Sequence, residues 1–137
     1  GTGINGDKSR KLNNRGVEQS LIVAKFIKDL HPNVVLTSTY IRAKETIQII
    51  FDYTHWNTLR VFESLDISPG GNIDELLIEI KAYNEQSVFI VGHNPQLSNM
   101  IYELTKTEHI MGNCSFCEID LDNNELVRFL NVDEMNV

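Results

Sequence analysis

Two short apolar runs constrain the fold of this 137-residue chain more than any other feature. Val34-Val35-Leu36 and Ser87-Val88-Phe89-Ile90-Val91 have contiguous rather than alternating apolar positions, which is typical of strands buried on both faces of a parallel sheet. Apolar residues at helical spacing lie around these runs, over residues 17–30, 40–52 and 74–83 and from Pro95 onward. Asn13 and Asn14 are candidate N-caps of the first helix. The alternation of helices and strands predicts an α/β sandwich of three layers around a mainly parallel sheet.

The rest of the chain adds a strand at 59–62 and a closing hairpin. The hairpin strands, 115–121 and 126–130, flank Asp122-Asn123-Asn124-Glu125, and Asn-Asn tolerates the positive φ angles of a tight turn. We therefore expect an antiparallel hairpin that gives the sheet a mixed edge. No repeat or long linker divides the sequence, which predicts one domain over residues 1–137.

The composition excludes several classes of partner. A net charge of −7 and a pI of about 5.0 argue against nucleic acid or an anionic membrane, since both require a basic face. No apolar run approaches the ~20 residues that cross a bilayer, and the first residues lack the apolar core of a signal peptide. Two cysteines are too few for a disulfide scaffold, so we expect a cytoplasmic protein. Nothing in the sequence indicates an oligomeric state.

The first candidate site follows the strand at 34–36. In an open α/β sheet, ligands bind beyond the carboxyl ends of the strands, where loops enter helices. Here Ser38 and Thr39 supply hydroxyls, and Arg42 lies in the first turn of the next helix. Hydroxyls and helix-end N–H groups donate hydrogen bonds to an anion, and a guanidinium can bind two phosphate oxygens at once. The alternative is that Ser38 or Thr39 only caps the helix and that Arg42 is a solvated surface residue.

The second candidate site follows the strand at 87–91, where the sequence reads Gly92-His93-Asn94-Pro95. The imidazole of His93 suits general acid–base catalysis or phosphate binding, because it titrates near neutral pH. The alternative is a histidine that bonds a carbonyl and shapes a turn. An arginine and a histidine at adjacent strand ends together favour a phosphate site.

Three weaker signals carry no site. Gly1-Thr2-Gly3-Ile4-Asn5-Gly6 matches the letters of a dinucleotide-binding loop, but the strand that must precede such a loop is absent from the sequence. Cys114 and Cys117 lack a second pair, which argues against zinc. The remaining histidines lie in polar contexts typical of surface residues: His31, His55 and His109.

Three segments resemble the histidine phosphatase (phosphoglycerate mutase-like) superfamily, and most of all its small SixA-type phosphohistidine phosphatases. They are Leu12-Asn13-Asn14-Arg15-Gly16, the run from Thr37 to Thr46, and the run from Val88 to Pro95. The resemblance implies a phosphoglycerate mutase-like fold and a phosphohistidine intermediate that water hydrolyses. It implies a phosphorylated protein or a small phosphate ester as substrate, with no metal and no cofactor. By the same resemblance the site residues are Arg42 as phosphate clamp, His93 as second pocket histidine, Ser38 in the pocket lining and Arg10 near the rim.

The sequence departs from that family at one point. The family's first strand ends in Arg-His-Gly or Arg-His-Ala, whose histidine is the nucleophile, and no Arg-His pair occurs here. Either the printed chain lacks that strand or the protein lacks the nucleophile. We expect the former, because a sheet without a central strand leaves backbone groups buried and unpaired. The alternatives are a non-catalytic phospho-ligand-binding module that keeps Arg42 and His93, and a mutase-like transferase in which Glu63 is the acid.

Overall fold

The computed structural model describes residues 9–56, 60–68, 70–83, 87–92, 96–109, 112 and 114–135. Helices and strands alternate along most of the chain, and a hairpin closes it. In order, the elements are α1 (Asn14–Ile27), β1 (Val34–Thr37), α2 (Ile41–Thr54), β2 (Arg60–Glu63), α3 (Ile73–Ala82), β3 (Val88–Val91), α4 (Gln96–Thr105), β4 (Phe116–Asp120), β5 (Glu125–Leu130) and a 3₁₀ turn (Val132–Glu134). Each predicted element is present, with its ends displaced by a few residues at most.

The first helix illustrates why the boundaries move. Asn13 is the N-cap of α1, as predicted, and its side chain accepts a hydrogen bond from the Gly16 N–H at 2.8 Å. The helix therefore begins three residues before the first apolar position used to predict it. It ends at Ile27, and the Leu30 N–H then donates to the Ile27 carbonyl in a closing turn.

The parallel sheet has the strand order β2-β1-β3. Its register pairs Thr37 with Glu63 on one side and with Val91 on the other. All three strands therefore end at the same level, and the loops that follow them open at one edge of the sheet. Parallel pairing requires a crossover between successive strands, which α2 and α3 provide.

Two apolar clusters lie on opposite faces of this sheet and confirm the three layers. One contains Ile27 of α1, Ile50 of α2 and Trp56, with Phe89 packed against it. The other is formed around Leu36, with side chains of α3, α4 and the loop after β2: Ile67, Leu76, Ile80, Met100 and Leu104. Val88 and Ile90 pack against this second cluster, so successive side chains of β3 point to opposite faces.

The third strand is less buried than its sequence predicts. All four residues of β1 are buried, whereas all four residues of β3 are half-buried. Within the described part of the chain, β3 forms ladder hydrogen bonds with β1 alone. A strand paired along one edge keeps its other edge accessible, which explains the difference.

The closing hairpin is antiparallel, as predicted, but over the described residues it forms its own two-stranded sheet instead of extending the parallel one. The Asp120 carboxylate accepts from the side chain and the backbone of Asn123 at the turn, and these bonds lower the pKa of that carboxyl. Arg128 on β5 pairs with Glu118 on β4 at 2.8 Å. No helix in the described ranges is both long and apolar enough to cross a membrane.

Candidate active site

The ends of β1, β2 and β3 are joined by backbone hydrogen bonds that continue past the sheet. The Ser38 N–H donates to the Val91 carbonyl at 3.1 Å, and the Ser64 N–H donates to the Thr37 carbonyl at 2.9 Å. The three loops therefore leave the sheet side by side. This is the edge at which an open parallel sheet binds its ligands.

Ser38 lies at the centre of this edge and is fully buried. Its hydroxyl accepts a hydrogen bond from the Tyr40 N–H at 3.2 Å. The N-cap of α2 is Tyr40, which makes no side-chain cap bond, so neither Ser38 nor Thr39 is the capping residue. The hydroxyl instead fixes the turn that leads into α2, and the first turn of α2 contains no acidic residue that would oppose an anion.

Arg42 occupies the first turn of α2 and is half-buried. Its guanidinium lies over the Tyr40 ring, 5.1 Å from the ring centre, and a cation over an aromatic face is held there by the ring quadrupole. The Thr46 hydroxyl donates to the Arg42 carbonyl at 2.9 Å. The side chain is thus positioned beside the N-terminus of α2 and is not a fully solvated surface arginine.

Arg10 is exposed, and its segment is attached to the same helix. The Leu12 N–H donates to the Glu45 carboxylate at 2.9 Å, one helical turn after Arg42. Because Leu12 is two residues from Arg10, this bond brings the Arg10 segment to the half of α2 that carries Arg42.

His93 lies outside the described residues, as do residues 1–6 with their glycine pattern. The chain on both sides of 93–95 is described. The Val91 carbonyl accepts a hydrogen bond from the Ser38 N–H. Gln96 is the first residue of α4, and it is buried. The Gln96 amide donates to the Asp66 carbonyl at 2.6 Å, which ties the start of α4 to the loop after β2.

The loop after β2 forms one wall of a groove of about 450 Å³ at this edge. We call it the strand-end groove; it is lined by Thr39, Tyr40, Leu65, Asp66, Ser68, Gly70, Gly71 and Asn72. The loop is held from α3: Glu79 accepts from the Ser64 hydroxyl at 2.9 Å and from the Tyr83 hydroxyl at 2.5 Å. Burial, and then the bond to Glu79, raise the pKa of Tyr83 above its ordinary value.

At this third strand end, sequence reasoning named only Glu63. Ser64, Asp66 and Gln96 hold or line the loop, yet none belongs to a recognisable motif. The available signal was topological, because β2 ends at the same level as its two neighbours and its loop must open beside theirs. Glu63, the sequence candidate for an acid, pairs with Lys44 at 2.8 Å.

The other residues weighed from the sequence lie elsewhere. His31 and His55 are exposed, and His109 stacks on Phe129 of the hairpin at 5.1 Å between ring centres. Cys114 and Cys117 are free thiols, and burial raises the pKa of both. The described ranges contain no cluster of histidine, cysteine and carboxylate side chains that could hold a metal ion.

Comparisons with known proteins agree with this geometry. Residues 2–66 match the histidine phosphatase superfamily (branch 1). No curated protein matches the sequence. Among solved structures, the protein histidine phosphatase SixA complexed with tungstate is similar over 99% of this chain and 93% of its own, with 18% identity and a TM-score of 0.84.

Two further structures share the fold. A protein from Agrobacterium tumefaciens assigned as phosphohistidine phosphatase SixA is 26% identical, over 76% of this chain and 69% of its own, with a TM-score of 0.65. A phosphoserine phosphatase mutant from Entamoeba histolytica, in complex with phosphoserine, is 16% identical, over 97% of this chain and 90% of its own, with a TM-score of 0.71. The fold is therefore shared by phosphatases named for different substrates.

Proposed function

We propose that the chain is a member of the histidine phosphatase superfamily, branch 1, which its residues 2–66 match, and that it hydrolyses phosphohistidine or a related phosphate monoester through a phosphohistidine intermediate. Arg42 binds the phosphoryl oxygens, His93 donates a hydrogen bond to them, Ser38 shapes the pocket and Arg10 lies at its rim. The substrate is a phosphorylated protein side chain or a small phosphate ester.

One bond carries this proposal, the hydrogen bond from the Ser38 N–H to the Val91 carbonyl at 3.1 Å. It joins the turn that leads to Arg42 with the strand end that leads to His93. The stacking of Arg42 on Tyr40 keeps the guanidinium at that turn. A cation and an imidazole on the loops that follow two neighbouring strands would match the charge of a phosphoryl group.

The reaction has two displacements at phosphorus. In the first, an imidazole nitrogen forms a bond to phosphorus, the bond to the leaving nitrogen or oxygen breaks, and the leaving group takes up a proton. In the second, water forms the new P–O bond, the N–P bond breaks, and inorganic phosphate and free imidazole result. Arg42 and His93 stabilise the charge on the equatorial oxygens in both steps, and such stabilisation is the main source of rate in phosphoryl transfer.

The proposal places the attacking histidine on a strand that the printed sequence does not contain. Of the four histidines in that sequence, none follows an arginine. Among the described strands β3 pairs with β1 alone, while Phe89 of β3 and Phe116 of β4 pack in one apolar cluster. A strand between β3 and the hairpin would pair the accessible edge of β3, which supports this position for the nucleophile.

The test compares the printed chain with the protein encoded by the whole natural reading frame. We expect the protein encoded by the whole reading frame to release phosphate from a phosphohistidine peptide and from an aryl phosphate. Brief exposure to a radiolabelled substrate should leave an acid-labile, alkali-stable label on the protein, as a phosphohistidine does. If the protein encoded by the whole reading frame binds phosphate but hydrolyses neither substrate, the proposal is contradicted and a non-catalytic phospho-ligand-binding module is supported.

A further inference from the structure

The strand-end groove has one carboxylate residue in its lining and a guanidinium next to one of its lining residues. Tyr40 belongs to the lining, and the Arg42 guanidinium lies over its ring. Along the loop after β2, the lining includes the Asp66 carboxylate. No lysine, arginine or histidine is among the described lining residues. A phosphoryl group therefore fits the part of the groove beside Tyr40 and Arg42, and the Asp66 carboxylate disfavours a second anion in the rest.

The Asp66 carboxylate accepts one hydrogen bond, and the backbone of Asp66 is held by two more. The Asn72 N–H donates to Asp66 Oδ1 at 3.2 Å, and the Gln96 amide donates to the Asp66 carbonyl at 2.6 Å. The Asp66 N–H donates to the Ser64 hydroxyl at 3.2 Å, and Ser64 in turn bonds Glu79. A carboxylate held this way discriminates between ligands without first having to be ordered.

The groove also contains a polar atom that has no hydrogen-bond partner among the described residues. Ser68 is 6% exposed, and its buried hydroxyl forms no hydrogen bond with any residue that the structure describes. Buried hydroxyls are ordinarily paired, so one that is not calls for an explanation. Because Ser68 also lines the groove, a ligand there would lie next to this hydroxyl.

We propose that the strand-end groove binds the group that carries the phosphoryl, and that Asp66 selects carriers with a cationic or N–H donor group over carriers with a second anionic group. The proposal rests on the phosphatase function proposed above. Phosphorylated imidazoles and aminoalkyl phosphates belong to the favoured class, and phosphorylated hydroxy acids to the disfavoured one.

The experiment compares three phosphate esters that differ in the charge of the group that carries the phosphoryl. This group has an ammonium in phosphoethanolamine, no charge in phenyl phosphate and a carboxylate in phosphoglycolate. Dissociation constants, by NMR titration, and kcat/KM are both measured on the protein encoded by the whole natural reading frame. We expect phosphoethanolamine to bind more tightly than phosphoglycolate. Asp66→Asn should weaken the first and strengthen the second by about threefold each, the size typical of one partly exposed charge pair. Phenyl phosphate should change little.

Asp66→Asn keeps an oxygen that can accept from the Asn72 N–H, so the loop is expected to stay folded. The matched control is Asp74→Asn, which removes the same charge from an exposed position in the first turn of α3. An equal effect of the two substitutions would overturn the proposal, because the selectivity would then come from the general field. An unchanged ratio of dissociation constants in Asp66→Asn, or no binding of any ester, would also overturn it.

The two proposals fail in different ways. If the protein encoded by the whole reading frame hydrolyses none of the esters but Asp66→Asn changes the ratio of their dissociation constants, the role of Asp66 is supported and the phosphatase function is wrong. If the esters are hydrolysed with a ratio of kcat/KM that Asp66→Asn leaves unchanged, the phosphatase function is supported and the groove assignment is wrong.

Discussion

Ile67 fills the space that a side chain at residue 92 would need. Its own side chain is fully buried, and a Cβ built on Gly92 would overlap its Cγ2 atom. Because Ile is branched at Cβ, that methyl group cannot rotate away without leaving its rotamer. The loop after β2 and the end of β3 are therefore packed against each other with no room for even one methyl group.

Gly92→Ala should accordingly lower the free energy of unfolding by about 2 kcal/mol, within the range for overpacked cores. Urea denaturation measures the change. Combining it with Ile67→Ala should destabilise less than the sum of the two single substitutions, since the second relieves the overlap caused by the first. Gly112→Ala is the control, because a Cβ there would meet no atom closer than 3.6 Å. Strict additivity in the double variant would contradict the contact.

In the protein encoded by the whole reading frame, Arg42→Ala should reduce kcat/KM by about 100-fold or more. This is the loss typical when one group that stabilises transition-state charge is removed. Arg42→Lys should recover only part of this, because an ammonium lacks the two-pronged geometry of a guanidinium. Steady-state hydrolysis of an aryl phosphate provides the measurement.

Arg60→Ala provides the control for Arg42. Arg60 is exposed at the first residue of β2, the end of the sheet opposite to the site, and it carries the same charge. Its loss should leave kcat/KM nearly unchanged. Equal losses in both variants would show that net charge, not the position of Arg42, controls activity.

Much of the fold follows from the sequence because the first three residues of the central strand are all apolar. Val34, Val35 and Leu36 are all fully buried in the central strand. The sequence did not reveal how much of β3 is buried, since burial depends on which strands lie beside it. It also placed the hairpin at the edge of the parallel sheet, whereas the described hairpin pairs only within itself.

The site was predictable only where it has local motifs. Ser38 and Arg42 occur together within five residues, and the structure places both at the carboxyl edge of β1. Asp66 and Gln96 are thirty residues apart, and their bond depends on how two loops pack. No local pattern encodes such a contact, so it required the three-dimensional structure.

Alkaline pH should destabilise the fold through Cys117. Burial, followed by the nearby Glu118 charge, raises the pKa of its thiol from 9.0 to about 11. A group whose pKa is higher in the folded state stabilises the fold fully below the unfolded pKa, and this contribution is lost as pH rises through the folded value. The free energy of unfolding should therefore fall between pH 9 and about 11.

Alkylation gives an independent reading of the same thiol. In a Cys114→Ser variant, iodoacetamide at pH 8 should modify folded Cys117 about 100-fold more slowly than the urea-unfolded chain, since only the thiolate reacts. Equal rates in the folded and unfolded protein would contradict the raised pKa.

Ser68→Ala and Ser64→Ala should change stability in opposite directions, although both remove one hydroxyl from the same loop. The Ser68 hydroxyl is buried without a partner among the described residues, so its removal should raise the free energy of unfolding by about 1 kcal/mol. The Ser64 hydroxyl donates to Glu79 and accepts from the Asp66 N–H. Its removal leaves both groups without that bond and should lower the free energy of unfolding by about 1–2 kcal/mol. Urea denaturation of the two variants measures both changes. A loss of stability in Ser68→Ala as large as that in Ser64→Ala would show that the Ser68 hydroxyl is paired in solution.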